Sequence, residues 1–240
     1  MSVKSCILLL FSLSVALFSA GQGSDADSLI RASASAPIPA LVVQKPIPAS
    51  LVGTAILVGA SPMFFEPSYR QNLLIREEMQ LFRRNSLDHR QLHFDNGLQF
   101  LPVCSVVGLK LLGVRSPHSL RQLCFRSAST MLAQIALVQP VKKLVDELRP
   151  DRSSLTSFPS GHTAFAFAGA ELLRLEYSST SPLIPAAGYL VATLTGVMRV
   201  YNDRHWAGDV LAGAAIGFLV ADLSWLLNNW LESKFPFFNH

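Results

Sequence analysis

The stretch F-P-S-G-H-T-A-F, Phe158 to Phe165, sets a proline, a hydroxyl, a glycine and an imidazole directly before an apolar run with helical spacing. Ser160 is a good N-cap residue, and the segment predicts a helix beginning at 161. A helix that only packs needs neither Gly161 nor His162 at its start. Gly161 lets the backbone come close to a ligand, and the unpaired N–H groups of a first turn, with a dipole worth about half a positive charge, favour an anion.

Working outward, helical spacing recurs at about 97 to 114, 120 to 146, 161 to 176, 183 to 199 and 207 to 231, with turn-forming R-S-P-H-S at 115 to 119 and S-S-T-S-P at 178 to 182. No alternating strand pattern or internal repeat interrupts them, so the expected fold is an all-α bundle of about five to six helices. Of the 240 residues, 50% are hydrophobic and 15% charged, and the mean hydropathy of +0.35 favours a membrane-embedded bundle over a soluble one. Several apolar runs reach only about 15 to 18 residues, where roughly 20 span comfortably. The run G-A-A-I-G at 213 to 217 offers a small-xxx-small face for close helix approach. Asp222, Glu171 and Lys110 fit a membrane only if they face the bundle interior or lie near an interface. The net charge of +4 comes from scattered cations with no basic run, which argues against nucleic acid as a partner.

At the N-terminus, Lys4 precedes an apolar run from Cys6 to Phe18 and small residues at Ala20 and Gly21, the pattern of a secretory signal peptide over residues 1–21. Residues 22–48, rich in Ser, Ala and Pro, read as an extended leader, and the helical domain follows over 49–240. Within 66 to 93, Leu74, Ile75, Met79 and Phe82 alternate with charges at helical spacing, as in an amphipathic helix on a membrane surface or on the domain itself. Cys104 and Cys124 are expected as buried small hydrophobes, with a disulfide as the alternative, and no Cys/His spacing suggests a metal.

Two further segments bear on the anion site. In K-K-L-V-D-E-L-R-P, Lys142 precedes Arg149 by seven residues, two helical turns, so both cations can point at one place. In R-V-Y-N-D-R-H-W-A-G-D, Asp209 follows His205 by four, so its carboxylate could accept a proton from one ring nitrogen and leave the other free to attack. With Arg199 added, the implied anion is a phosphate. His205 is then placed to attack phosphorus and His162 to protonate the leaving oxygen. Each pair alone also reads as a solvated ion pair or a structural contact. It is their joint occurrence in order at helix termini that points to chemistry.

This ordered set resembles the three-part signature of the type 2 phosphatidic acid phosphatase family, which shares its site with class A acid phosphatases and vanadium haloperoxidases. Lys142, Arg149 and Pro150 match the first part, Pro159 to His162 the second, and Arg199, His205 and Asp209 the third, so the signature runs from 142 to 209. Met198 stands where the family usually has Ser, which removes a supporting hydrogen bond near Arg199. The resemblance implies a phosphohistidine on His205, oriented by Asp209, with His162 as acid. It implies that Lys142, Arg149, Ser160, Gly161 and Arg199 hold the phosphoryl oxygens, with no metal and no cofactor. The expected substrate is a phosphorylated lipid monoester or diphosphate. A secreted soluble acid phosphatase is the alternative, and a vanadate haloperoxidase or a non-catalytic homologue stands further off.

Parity links topology to location. If the signal peptide is cleaved and 50 to 65 does not span, the segment 97 to 114 goes in and 120 to 141 comes back out, which puts the site on the exported face. Arg115, Arg121 and Arg126 fit a cytoplasmic loop between those two helices. The expected location is the inner (cytoplasmic) membrane with a periplasm-facing site, a soluble periplasmic protein being the alternative.

Overall fold

Serine caps at 119 and 160 and left-handed residues at 113, 146 and 203 mark helix ends in the computed structural model, which describes Leu81 and residues 94–235. Over residues 94–235 six helices follow one another: α1 (Asp95–Leu98), α2 (Leu101–Leu111), α3 (Leu120–Val145), α4 (Gly161–Tyr177), α5 (Leu183–Tyr201) and α6 (Ala207–Lys234). No strand occurs among the described residues, in agreement with the all-α expectation. Ser119 opens α3 with a capping box, accepting from the Gln122 N–H while the Gln122 amide oxygen accepts from the Ser119 N–H. Ser160 caps α4, its hydroxyl accepting from the Thr163 N–H. The expectations for residues 1–21, 22–48 and 50–65 lie outside the described residues, as does the amphipathic segment apart from Leu81.

Some expectations need correction. The single helix expected over 97 to 114 is broken into α1 and α2, with Pro102 in the first turn of α2, where its missing N–H costs nothing. Helix α3 stops at Val145, because Asp146 adopts the left-handed conformation (φ 47°) as its C-cap, so Lys142 and Arg149 do not share one helix face. Cys104 and Cys124 are free thiols on outward-facing surfaces rather than buried.

Helix α4 is the hub, packed against α2, α3, α5 and α6. Its alanines 164, 166, 168 and 170 are fully buried at successive even positions, so no side of this helix is left to solvent. The small-residue face expected at 213 to 217 is used here. A Cβ on Gly213 would lie 2.5 Å from the Ser160 carbonyl oxygen, and one on Gly217 would lie 2.5 Å from that of Ala164. Glycine at both places lets α6 lie directly on the α4 backbone, and Gly169 does the same for α2 at Val103.

The C-terminal half of α6 is polar within and apolar without. Asp222, Ser224, Asn228 and Glu232 are buried, whereas Leu223, Leu226, Leu227 and Trp230 form an exposed stripe at helical spacing. Arg126, expected near a cytoplasmic loop, is instead buried in α3, bonded through Nε and Nη2 to Glu232 at 2.9 and 2.7 Å and stacked on Trp225. Glu171 and Asp222 face the interior around Arg174, and Lys110, near the end of α2, donates to the Ser116 carbonyl. Among the described residues, α5 and α6 are long and apolar enough to cross a membrane.

Candidate active site

One end of the bundle gathers the C-termini of α3 and α5, the N-termini of α4 and α6, and two loops, 146–160 and 202–206. The loops are joined to each other. Asp151 N–H donates to the Asp203 carbonyl at 3.2 Å, Arg204 pairs with Asp151 at 3.1 Å, and the Trp206 indole donates to the Leu148 carbonyl at 2.9 Å. This lacing carries Arg149, which left the helix at Asp146, back toward Lys142. Both bond to Thr156: Lys142 Nζ donates to its carbonyl at 2.7 Å, and Arg149 Nη2 to its hydroxyl at 3.3 Å.

The result is a cavity of about 260 Å³ walled by Lys142, Arg149, Gly161, His162 and His205, and on its apolar side by Ile135, Val138 and Phe165. Gly161 stands where a Cβ would reach ordinary contact with Lys142 and Val138, 3.7 Å from each. Ser160, Arg199 and Asp209 sit behind this wall, all three buried. The Ser160 hydroxyl is 2.8 Å from that of Thr163, so its contribution here is the helix cap, while its N–H bonds the Asp209 carbonyl.

His205 and Asp209 are brought together, but not on one helix. His205 precedes α6, and its Nδ1 lies 3.6 Å from Asp209 Oδ2, an ion-pair distance beyond hydrogen-bond range. The same carboxylate oxygen accepts from the Ser157 hydroxyl and from the Trp206 N–H at 2.8 Å, so Asp209 also caps α6.

The site's electrostatics are those of crowded positive charge. Burial lowers the Lys142 ammonium to about 8, reinforced by Arg149 and Arg199 and opposed by Asp209. Burial and then Arg199 lower Arg149. Burial, followed by Lys142, Arg199 and Arg149, holds His205 well below the usual imidazole value. His162 is lowered to about 4 by burial, Arg199 and His205, with Asp95 opposing. Among the described residues, the Nε groups of Arg149 and Arg199 are buried donors without an acceptor. Unmet donors on charged groups are costly, and an anion's oxygens would satisfy them.

Two side chains here carry no signal in the sequence reading. Asp95, on α1, is buried and accepts from Arg199 Nη1 at 2.6 Å and from Asn202 Nδ2 at 3.2 Å. Its neighbour Asn96 places Oδ1 3.2 Å from His162 Nε2. They lie 104 and 66 residues from these partners, in no recognisable motif. An Asp-Asn-Gly run reads as a turn, which is the only local cue.

Comparison with known proteins gives one family match and several relatives. The PAP2 superfamily matches residues 124–233. A lipid A 1-phosphatase of Porphyromonas gingivalis is 40% identical over 136 residues, 56% of this chain and 31% of that protein. A probable lipid phosphate phosphatase 4 of Arabidopsis thaliana is 35% identical over 36% of this chain and 30% of its own length. A probable diacylglycerol pyrophosphate phosphatase 1 of Schizosaccharomyces pombe is 34% identical over 27% of each. The chain thus spans about a third or less of the curated relatives it matches. A solved transmembrane PAP2-type phosphatidylglycerolphosphate phosphatase from Bacillus subtilis aligns with 93% of this chain and 96% of its own, at 18% identity and a TM-score of 0.40.

Proposed function

We propose that this chain, whose residues 124–233 match the PAP2 superfamily, is a phosphatase hydrolysing a phosphorylated lipid through a phosphohistidine on His205. The observation that carries this reading is the cavity itself: two imidazoles and two cations on its wall, Arg199 behind, and two guanidinium donors without acceptors. A phosphoryl group supplies what those donors lack. The relatives' names point to lipids with quite different leaving groups, so the shared chemistry is a phosphate ester or anhydride on a lipid.

The neutral His205, turned toward Asp209 at Nδ1, attacks phosphorus through Nε2. A P–N bond forms and the bond from phosphorus to the leaving oxygen breaks, that oxygen taking a proton from His162. Water then attacks phosphorus, its proton returns to His162, the P–N bond breaks and phosphate leaves. Lys142, Arg149, Arg199 and the first-turn N–H groups of α4 stabilise the oxygens on which charge gathers. The proton need not sit on His162 beforehand. A phosphate monoester, with a second ionisation at about 6, can deliver one on binding, and the dianion left beside the ring raises its basicity. Ser160 and Gly161 form the turn that aims those N–H groups, and Asp209 orients His205.

We place the enzyme in a membrane with the site on its exported face. The lipid substrate and the apolar outer stripe of α6 support the membrane, and Arg115 and Arg121 at the opposite end support the orientation. The deciding experiment is phosphate release from a panel of lipid A 1-phosphate, phosphatidate, diacylglycerol pyrophosphate, phosphatidylglycerol phosphate and soluble monoesters, with and without EDTA. Release from at least one lipid is expected, unaffected by EDTA and lost in His205→Ala. Normal turnover by the folded His205→Ala protein would remove the nucleophile assignment.

A further inference from the structure

We propose that Asn96 is a positioning residue that fixes the tautomer of His162, and that Asp95 beside it supplies the support for Arg199 that Met198 cannot give. The inference rests on the assignment of His162 as the acid, and both residues lie outside the segment that matches the family.

The amide of Asn96 is oriented by its second partner, Arg199. Its Oδ1 is 3.2 Å from His162 Nε2 and 3.5 Å from Arg199 Nη1. A guanidinium nitrogen only donates, so the atom facing both partners must be the oxygen. His162 Nε2 therefore carries hydrogen and donates to Asn96. In the neutral ring Nδ1 is then bare, and it is Nδ1 that takes up the proton passed to the leaving group. Without Asn96 the neutral ring is free to hold its hydrogen on either nitrogen, and its Nδ1–H tautomer has no bare nitrogen at Nδ1 to take up that proton.

Asp95 anchors this arrangement. It is buried, holds Arg199 Nη1 at 2.6 Å with one oxygen and Asn202 with the other, and so ties α1 to the end of α5. Met198, also buried, offers the guanidinium only a weakly accepting thioether. The one-turn α1 thus sets a phosphate-holding cation with one side chain and the acid with the next. The charged and titratable groups around His162 are Arg199 from α5, Arg149 and His205 from the loops, Asp95 from α1, and Lys142 from α3 across the cavity.

The test uses the full chain in detergent with Asn96→Ala and Asn96→Asp. In ¹⁵N-histidine spectra, wild-type His162 should show hydrogen on Nε2, and Asn96→Ala should lose that bias. An Nδ1–H tautomer in the wild type would overturn the inference whatever the activity. With a lipid phosphate that the wild type turns over, Asn96→Ala should lower kcat by roughly ten-fold or more, general acids contributing about 10² to 10⁴. It should do so with little change in KM, and should spare p-nitrophenyl phosphate, whose leaving group needs no proton. The alkaline limb of kcat should move to lower pH in Asn96→Ala and to higher pH in Asn96→Asp, where the new carboxylate favours the imidazolium. Equal losses on both substrates, or an unmoved limb in both variants, would reduce Asn96 to a structural contact. If no lipid phosphate is hydrolysed by the wild type, the proposed function fails and the tautomer measurement alone decides this point.

Discussion

The ammonium of Lys142, held at about 8 by burial and by Arg149 and Arg199, lies below its unfolded value of 10.5. Between those limits the unfolded chain keeps the proton that the folded chain releases, so this group adds stability as pH rises through the window. Anion binding runs the other way, because the cation disappears over the same range. Inhibition by orthophosphate is therefore expected to weaken above pH of about 8 in the wild type. Lys142→Arg should remain flat there, since a guanidinium stays charged. A wild-type inhibition constant that does not change between pH 7 and 9.5 would exclude Lys142 from the anion site. His205 is displaced in the same direction, by burial first and then by the three neighbouring cations, and as the proposed nucleophile it must be neutral to attack. The acid limb of kcat/KM, which reports the free enzyme, should accordingly fall below the 6.5 of an ordinary imidazole. A wild-type acid limb at or above 6.5 would contradict that displacement of the ring by burial.

At the level of helices, glycine positions separate packing from mere composition. A methyl on Gly217 would sit 2.5 Å from the Ala164 carbonyl and 2.9 Å from both the Ala168 nitrogen and Phe167 Cβ, with rigid backbone on two of the three sides. Gly217→Ala should destabilise by about 1 to 3 kcal/mol, the usual cost of overpacking. Gly108, on α2, has nothing within 4 Å, so Gly108→Ala should be neutral or stabilising by up to about 1 kcal/mol. Thermal midpoints in detergent measure both, and equal shifts would argue that α6 does not lie against α4 as described. These same helices were the most legible part of the sequence. Helices α4, α5 and α6 begin at 161, 183 and 207 as expected, because caps and turn residues mark their starts locally. Where long-range geometry decides, the sequence was silent. The left-handed Asp146 that turns Arg149 off α3 follows no spacing rule, and the Asp95–Arg199 pair joins residues 104 apart. The eight site residues named from sequence do converge at one end, but the α1 pair that holds two of them has no motif to betray it.

For the molecule as a whole, the arrangement of polarity decides what surrounds it. A helix of 28 residues such as α6 is about 42 Å long at 1.5 Å per residue, ample for a hydrocarbon core of about 30 Å. Its buried side carries Asp222, Asn228 and Glu232, the last bonded to Arg126, while leucines and a tryptophan face outward. In water, that distribution would leave Leu223, Leu226, Leu227 and Trp230 as an apolar stripe while spending polar groups on the interior. In lipid it is the favourable one, because charges pair inside and apolar side chains meet the acyl chains. Replacing Leu223, near the helix centre, by Arg should therefore cost about 2.5 to 3.5 kcal/mol of insertion and lower the membrane-bound fraction, and the same change at Leu227, nearer the helix end, should cost less. The wild type should stay in the pellet after alkaline carbonate extraction. A soluble protein would respond in the opposite sense, since a new exposed Arg on α6 would raise its solubility and leave its distribution unchanged. If carbonate releases the wild type and Leu227→Arg only improves its yield, the outer stripe of α6 faces water or another protein, and the membrane placement falls while the phosphate chemistry of the cavity stands.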